Sequence, residues 1–97
     1  MIWEHRQKAK NALWNYHLYL AMDEPQYTEW CLAVDEALAY YKSHDQTQIK
    51  LIKIRFFNHA TEQKTLELLH IGRTTYQKYC TDIFSTIAIL AAKRGLL

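Results

Sequence analysis

The side chains of this chain best suited to chemistry follow a tight-turn signal in the segment LELLHIGRTTYQKY, residues 66–79. Arg and Lys suit guanine, Gln suits adenine, and Thr can contact the thymine methyl group or a phosphate. A helix beginning after Gly72 would also offer free N–H groups to a phosphate. The candidates for base contact are Arg73, Thr74, Thr75, Gln77 and Lys78. An ordinary solvated helix surface has the same polar pattern, so spacing alone leaves both interpretations open.

These side chains require a short helix, a turn and a long helix to position them. A helix-turn-helix joins its two helices by three or four residues that often include glycine. We therefore expect Gly72 to make the turn while Leu69 and Ile71 pack inward. The long helix is predicted to run from near Arg73 to Arg94, before Gly95. Its predicted buried stripe is Tyr76, Cys80, Ile83, Phe84 and Ile87.

Basic residues are concentrated in the second half of the chain. Residues 1–44 hold four basic and six acidic side chains, a net charge of −2, whereas residues 45–97 hold eight basic and four acidic ones, a net charge of +4. We expect a polyanion to bind the second half. The candidates for phosphate contact are Lys50, Lys53, Arg55, Lys64, Lys93 and Arg94.

Apolar spacing and capping signals predict four helices before the turn. The first helix is expected over Ile2–Met22 and the second over Pro25–Ser43, with Asp23 or Glu24 as its cap and Pro25 at its first position. Asp45 and Gln48 resemble a capping box that opens a third helix, QTQIKLIKIRFFN. Thr61 can cap a fourth helix that ends near Leu69.

The composition predicts an all-α fold in one compact domain. The chain has 97 residues, of which 49% are apolar, and it contains only two glycines and one proline. Strand-like alternation is confined to IKIRF, which lacks flanking turn residues. The expected architecture is a small five-helix bundle over residues 1–97, with an N-terminal helical hairpin at 1–44 and a tri-helical helix-turn-helix unit at 45–97.

The N-terminal hairpin carries more aromatic side chains than one helix pair needs in its interior. Some of them are therefore expected to face a second copy of the chain or another protein. The candidates for this dimer or partner surface are Trp3, Trp14, Tyr27, Trp30 and Tyr41. They could equally be core and scattered surface aromatics.

Enzymatic chemistry is not expected. The acidic pairs Asp23-Glu24 and Asp35-Glu36 are adjacent in sequence, so within a helix their side chains point apart. The five histidines lack HxxxH or HExxH spacing, and no glycine-rich phosphate loop is present. Cys31 and Cys80 have no CxxC partner and are expected to be reduced and buried. We predict no enzyme, no cofactor and no metal.

The apolar segments favour a cytoplasmic location. The longest unbroken apolar run is IAILAA at 87–92, far shorter than the roughly 20 residues that cross a bilayer. The beginning of the chain also lacks the apolar stretch and cleavage site of a signal peptide. We therefore expect no membrane association and no secretion.

A wider stretch of the second half resembles a known family. The sequence from LIKIRFFN through LELLHIGRTTYQKYCTDIFSTIAILAAKRG resembles the C-terminal domain of phage late-gene transcription activators of the RinA/ArpU type, which is similar to the promoter-binding region four of bacterial sigma factors. The resemblance covers residues 51–95. The matching positions are Leu51, Ile52, Ile54, Arg55, Phe56, Phe57, Leu69, Ile71, Gly72, Thr74, Thr75, Leu90, Ala91 and Gly95.

This resemblance implies sequence-specific binding of double-stranded DNA by a phage or prophage transcription regulator in the cytoplasm of a bacterial host. It carries over Arg73, Thr75, Gln77 and Lys78 as recognition-helix positions. A homodimer would place two such helices on half-sites about one helical turn apart. The alternative is a phage-encoded protein-binding module, an adaptor or inhibitor of a host protein such as RNA polymerase or a defence complex.

Overall fold

The computed structural model describes residues 3–97, which form α-helices and one π-helical segment, with no strand in this range. The predicted all-α class is therefore confirmed. The elements are α1 (Trp3–Trp14), α2 (Tyr16–Ala21), α3 (Pro25–His44), α4 (Gln46–Leu51), the π-helical segment (Ile52–Phe57) that continues α4 directly, α5 (Glu62–Leu69) and α6 (Arg73–Lys93). The predicted start of the first helix at Ile2 lies outside the described residues.

The predicted first helix is interrupted at Asn15, which separates α1 from α2. Asn15 has φ −103° and ψ 19°, outside regular helical geometry. Its side-chain amide donates to the carbonyl of Asn11 at 3.0 Å, parallel to the backbone bond of 2.9 Å between the same residues. Asparagine is prone to such local side-chain bonds, which compete with regular helix geometry. The interruption turns α2 toward α3, on which it packs.

The N-terminal caps of α3 and α4 lie where the sequence predicts them. Pro25 is the first residue of α3 and Glu24 is its cap residue, although the Glu24 side chain makes no capping hydrogen bond. Asp45 caps α4 through its carboxylate, which accepts from the N–H groups of Thr47 at 3.0 Å and Gln48 at 3.2 Å. The Gln48 amide bonds that carboxylate instead of the Asp45 N–H, so the capping box is not reciprocal.

Replacing Asp45 by Ala is expected to lower the free energy of unfolding by about 1 kcal/mol, because two N–H groups of α4 lose their acceptor. Asp45→Asn keeps an oxygen at the same place and should retain most of that stability. Urea unfolding of the two variants against the parent protein measures the difference. Equal loss in both variants would mean that the carboxylate acts through its charge and not as a cap.

The long helix α6 forms the centre of the bundle and packs against both α1 and α3. The chain directions of α3 and α6 are opposed. Arg94, just beyond the end of α6, donates to Glu29 at 2.9 Å and to Glu36, near the start and middle of α3. Tyr41, near the end of α3, donates to the carboxylate of Asp82 in α6 at 2.6 Å. These three contacts align α3 along α6 for most of the length of α3.

The buried core joins all the long elements around α6. Its fully buried members include Leu13, Val34, Leu51, Ile52, Phe56, Ile83 and Ile87. The predicted stripe of α6 is confirmed for Tyr76, Cys80, Ile83 and Ile87, whereas Phe84 is half-buried. The π-helical segment closes with a bond from the N–H of Asn58 to the carbonyl of Lys53, five residues earlier.

The aromatic side chains of the first three helices divide between core and surface. Trp3 is 70% exposed, while Trp14, Tyr27 and Trp30 are half-buried. Tyr41 is only 1% exposed. The prediction that Tyr41 lies on a partner surface is therefore wrong, since the opposed packing of α3 and α6 places this ring inside the core.

Candidate nucleic-acid interface

A short scaffold helix and a tight turn precede the candidate interface. Thr61 caps α5 as predicted, because its hydroxyl oxygen accepts from the N–H of Lys64 at 3.1 Å. The helix ends at His70, which has the left-handed values φ 55° and ψ 44°. The N–H of Ile71 then bonds the carbonyl of Leu66 at 3.2 Å. This arrangement is a left-handed C-terminal cap.

The expectation that Gly72 makes the turn is wrong in its detail. Gly72 has φ −84° and ψ 169°, an extended conformation open to any residue, and it stands as the cap position of α6. No atom lies within 4 Å of where its Cβ would be. His70 takes the left-handed conformation instead, at the position where the N–H groups of His70 and Ile71 donate to carbonyls of the last α5 turn.

The first three turns of α6 present one continuous polar face. Thr74, Gln77 and Lys78 are exposed, and they line an open depression of about 570 Å³. Thr81, Asp82 and Ser85 line the same depression further along the helix. Steps of three and four residues place all six on one side of an α-helix. The structure therefore brings together three of the five predicted base-contact residues.

The other two predicted base-contact residues lie at the edges of this face. Arg73 is exposed, and its guanidinium forms an ion pair of 2.8 Å with Glu62 at the start of α5. A solvent-exposed pair of this kind contributes little stability, so Arg73 can exchange Glu62 for a phosphate or a base. Thr75 is half-buried and does not line the depression.

Three residues of the face were not among the predicted site residues: Thr81, Asp82 and Ser85. Continuing the helical spacing beyond Lys78 would have found them. Asp82 has a defined orientation, because the buried hydroxyl of Tyr41 donates to it at 2.6 Å and also bonds Thr86 at 2.9 Å. One fixed carboxylate therefore lies beside the candidate base-contact residues.

The six candidates for phosphate contact fall into two groups. Four lysines are exposed and form no ion pair within the described residues: Lys50, Lys53, Lys64 and Lys93. Arg94 is bound by two carboxylates of α3, which raise its pKa. Arg55 donates to the Tyr76 hydroxyl at 3.1 Å and to the Ala60 carbonyl at 2.9 Å. Both arginines therefore have a role inside the fold that their sequence positions did not predict.

Tyr76 links the buried side of α6 to Arg55. Burial raises the pKa of its phenol to about 12 from an ordinary 10.0, while the hydrogen bond from Arg55 acts in the opposite direction. Burial also raises the pKa of Tyr41 and Tyr16, and each donates to a carboxylate, Asp82 and Asp35 respectively. All three phenols therefore retain their protons more strongly in the folded protein.

Stability is expected to fall as the pH rises from about 10 to 12. A raised tyrosine pKa means that the folded state binds the proton more tightly, so the stabilisation is complete below pH 10 and is lost as the pH approaches the folded value. Urea unfolding at several alkaline pH values measures this slope. Tyr76→Phe should flatten the slope, and an unchanged slope would contradict the contribution of Tyr76.

Residues 3–97 show neither a metal-binding cluster nor a membrane-spanning helix. No three His, Cys, Asp or Glu side chains of this range are placed to share a metal ion. None of the described helices combines the length and apolar character needed to cross a membrane.

No protein-family model, curated protein or solved structure matches this chain. The resemblance of residues 51–95 to the phage activators therefore stays a prediction.

Proposed function

We propose that this protein binds double-stranded DNA as a phage or prophage transcription regulator, with the start of α6 in the major groove. The observation that carries the proposal is the open polar face of α6 directly after the left-handed turn at His70. Thr74, Gln77 and Lys78 are exposed there, and their side chains make no hydrogen bond within the described residues. Free amide, ammonium and hydroxyl groups on one face of a helix suit base edges.

The basic side chains near the start of α6 support weak contacts with the phosphates of the DNA backbone. Lys64 is exposed in the first turn of α5, and Arg73, at the start of α6, is paired only with Glu62 of that same turn. The N-terminus of α6 adds free N–H groups, which favour a phosphate. Each phosphate neutralised by a basic side chain should lower the logarithm of the binding constant by about 0.9 per tenfold rise in salt.

A homodimer would give this small recognition unit sufficient affinity. Its two α6 helices would contact half-sites about 34–36 Å apart, or a multiple of that spacing. The exposed Trp3 ring at the start of α1 is available for such an interface. Residues of α6 would stay free for DNA if the dimer forms through α1 and α2.

The test is a selection of bound duplexes from a random library, followed by retention of a selected duplex at increasing salt. We expect an enriched motif with two related half-sites and a salt dependence equivalent to several phosphates. Competition with unrelated duplex measures specificity. Equal retention of selected and unrelated duplexes at every salt concentration would contradict sequence-specific binding.

A second candidate function, binding of a host protein, is favoured by a different observation. Leu18 and Leu20 on α2 are 57% and 56% exposed, although both are large apolar side chains. The carboxylate of Asp82 on the α6 face would also suit a basic protein surface better than phosphates. Affinity capture from nuclease-treated host lysate, with the parent protein and with Leu18→Ser, distinguishes the two functions. A partner that the parent retains without nucleic acid and that Leu18→Ser loses supports protein binding.

A further inference from the structure

A second group of basic side chains lies on α1, in the half of the chain with net negative charge. Arg6 and Lys10 are one helical turn apart and are therefore neighbours on the surface of α1. Lys10 shares a cavity of about 260 Å³ with Asn11, Trp14 and Arg55. The cavity thus brings Arg55, from the π-helical segment, beside Lys10 of α1.

Arg55 is held in a defined position at this cavity. Its Nε donates to the Tyr76 hydroxyl at 3.1 Å, and its Nη1 donates to the Ala60 carbonyl at 2.9 Å. The guanidinium carbon lies 5.0 Å from the centre of the Trp14 ring, within the range of a cation–π contact. The second terminal nitrogen, Nη2, has no hydrogen-bond partner within the described residues. The donor is therefore preorganised, and this nitrogen is available to a ligand.

Trp14 also has a fixed orientation at this cavity. The ring of His59 stacks on it at 4.1 Å with an angle of 12° between the planes. The Nε2 atom of His59 lies 2.8 Å from the Trp14 carbonyl, next to the interruption at Asn15. The Trp14 indole therefore has a defined place in the cavity wall and can report on binding there.

The positive charges at and near the cavity favour binding of an anion. No carboxylate lines it, and none of Arg6, Lys10 and Arg55 forms an ion pair within residues 3–97. The Nε of Arg6 is buried without a hydrogen-bond partner. Grouped positive charges repel one another, and each half-buried charge loses hydration, so the arrangement costs free energy in the absence of a counter-charge.

We propose that this cavity binds a phosphate group, with Lys10 and the free nitrogen of Arg55 as charged donors and Asn11 as a neutral one. Arg6, one helical turn before Lys10 on α1, would add a positive charge near the cavity without lining it. Multiple charge-assisted hydrogen bonds are the usual way in which proteins hold phosphate. The phosphate belongs either to a small free ligand or to a DNA backbone, since both present the same group.

The proposed phosphate site is separate from the α6 face. Tyr76, which holds Arg55, lies two residues from Thr74 and therefore about 200° around the helix from it. A straight duplex seated on Thr74, Gln77 and Lys78 would leave the cavity on the far side of α6. The site consequently does not depend on the proposed DNA function.

Titration of isotope-labelled protein, followed through the indole N–H signal of Trp14, tests the proposal. The probes are inorganic phosphate, pyrophosphate, a nucleoside triphosphate and a short DNA duplex. We expect a saturable shift of the Trp14 signal with at least one of them, and about tenfold weaker binding of that probe in Lys10→Gln. Lys8→Gln, on the neighbouring surface of α1, is the matched control and should bind like the parent protein.

The pattern of responses identifies the source of the phosphate. A shift with the small probes indicates a free ligand, whereas a shift with duplex alone that persists in Gln77→Ala/Lys78→Ala indicates a backbone contact away from the α6 face. Either result supports the site. No saturable shift with any probe, or equal affinity in Lys10→Gln and the parent, would overturn it without affecting the α6 proposal. Circular dichroism checks that both variants fold.

Discussion

The double substitution Gln77→Ala/Lys78→Ala is expected to weaken binding of a selected duplex by about 30-fold or more. A well-placed contact to a base edge contributes roughly 1–3 kcal/mol of discrimination, and each factor of ten corresponds to about 1.4 kcal/mol. Both side chains lie in the centre of the exposed polar face of α6. Fluorescence anisotropy with the selected duplex measures the loss.

The fold should not change in this variant, since both residues are exposed and lie within a helix. Surface substitutions of this kind usually alter stability by no more than about 0.5 kcal/mol. The chain provides a matched control in Gln7→Ala/Lys8→Ala, the same residue pair on α1. We expect that control to bind the duplex normally. Undiminished binding by the α6 variant would remove α6 from the proposed interface.

The largest effect on stability is expected for Phe56→Ala, at about 3–5 kcal/mol. Phe56 is 1% exposed. Its ring packs edge to face with the rings of Trp14 and Phe84, at centroid separations of 6.5 Å and 5.6 Å. Its removal would leave a cavity between α1, the π-helical segment and α6. Domains of this size are commonly stable by only about 5–15 kcal/mol, so the variant should be close to unfolding at physiological temperature.

The adjacent residue provides the control for this prediction. Phe57 belongs to the same π-helical segment but is half-buried, stacking on Tyr16 at 4.8 Å. Phe57→Ala should therefore cost clearly less than Phe56→Ala, because a partly exposed site leaves no closed cavity. Thermal unfolding followed by circular dichroism compares the two. Equal losses of stability in the two variants would contradict the expectation that the fully buried ring of Phe56 contributes more than the half-buried ring of Phe57.

Local signals in the sequence predict most of the helices. Asp45 and Thr61 cap helices where their side chains can accept N–H groups, and Gly95 follows α6 with a φ of 77°. The apolar spacing of α6 likewise predicts its buried side. These features depend on interactions over one or two turns, so the sequence alone contains them.

Other local details depend on competition between backbone conformations, which the spacing of residues does not predict. The side chain of Asn15 bonds the backbone and interrupts the first helix. The bond from Asn58 to Lys53 widens the third helix into a π-helical segment. His70 takes the left-handed conformation in place of the glycine two residues later. Each outcome is a small free-energy difference between neighbouring conformations, decided by the packing around it.

For the candidate interface too, some features follow from the sequence and others only from the tertiary structure. Helical spacing was sufficient to place Thr74, Gln77 and Lys78 on one outward face, because side-chain direction within a helix follows from the backbone. Whether a residue elsewhere is free depends on which elements pack together. Opposed packing of α3 and α6 buries Tyr41 and joins Arg94 to two carboxylates 58 and 65 residues earlier. Packing of α1 beside the π-helical segment likewise brings Lys10 and Arg55 to one cavity, since contacts between residues so distant along the chain arise only from tertiary structure.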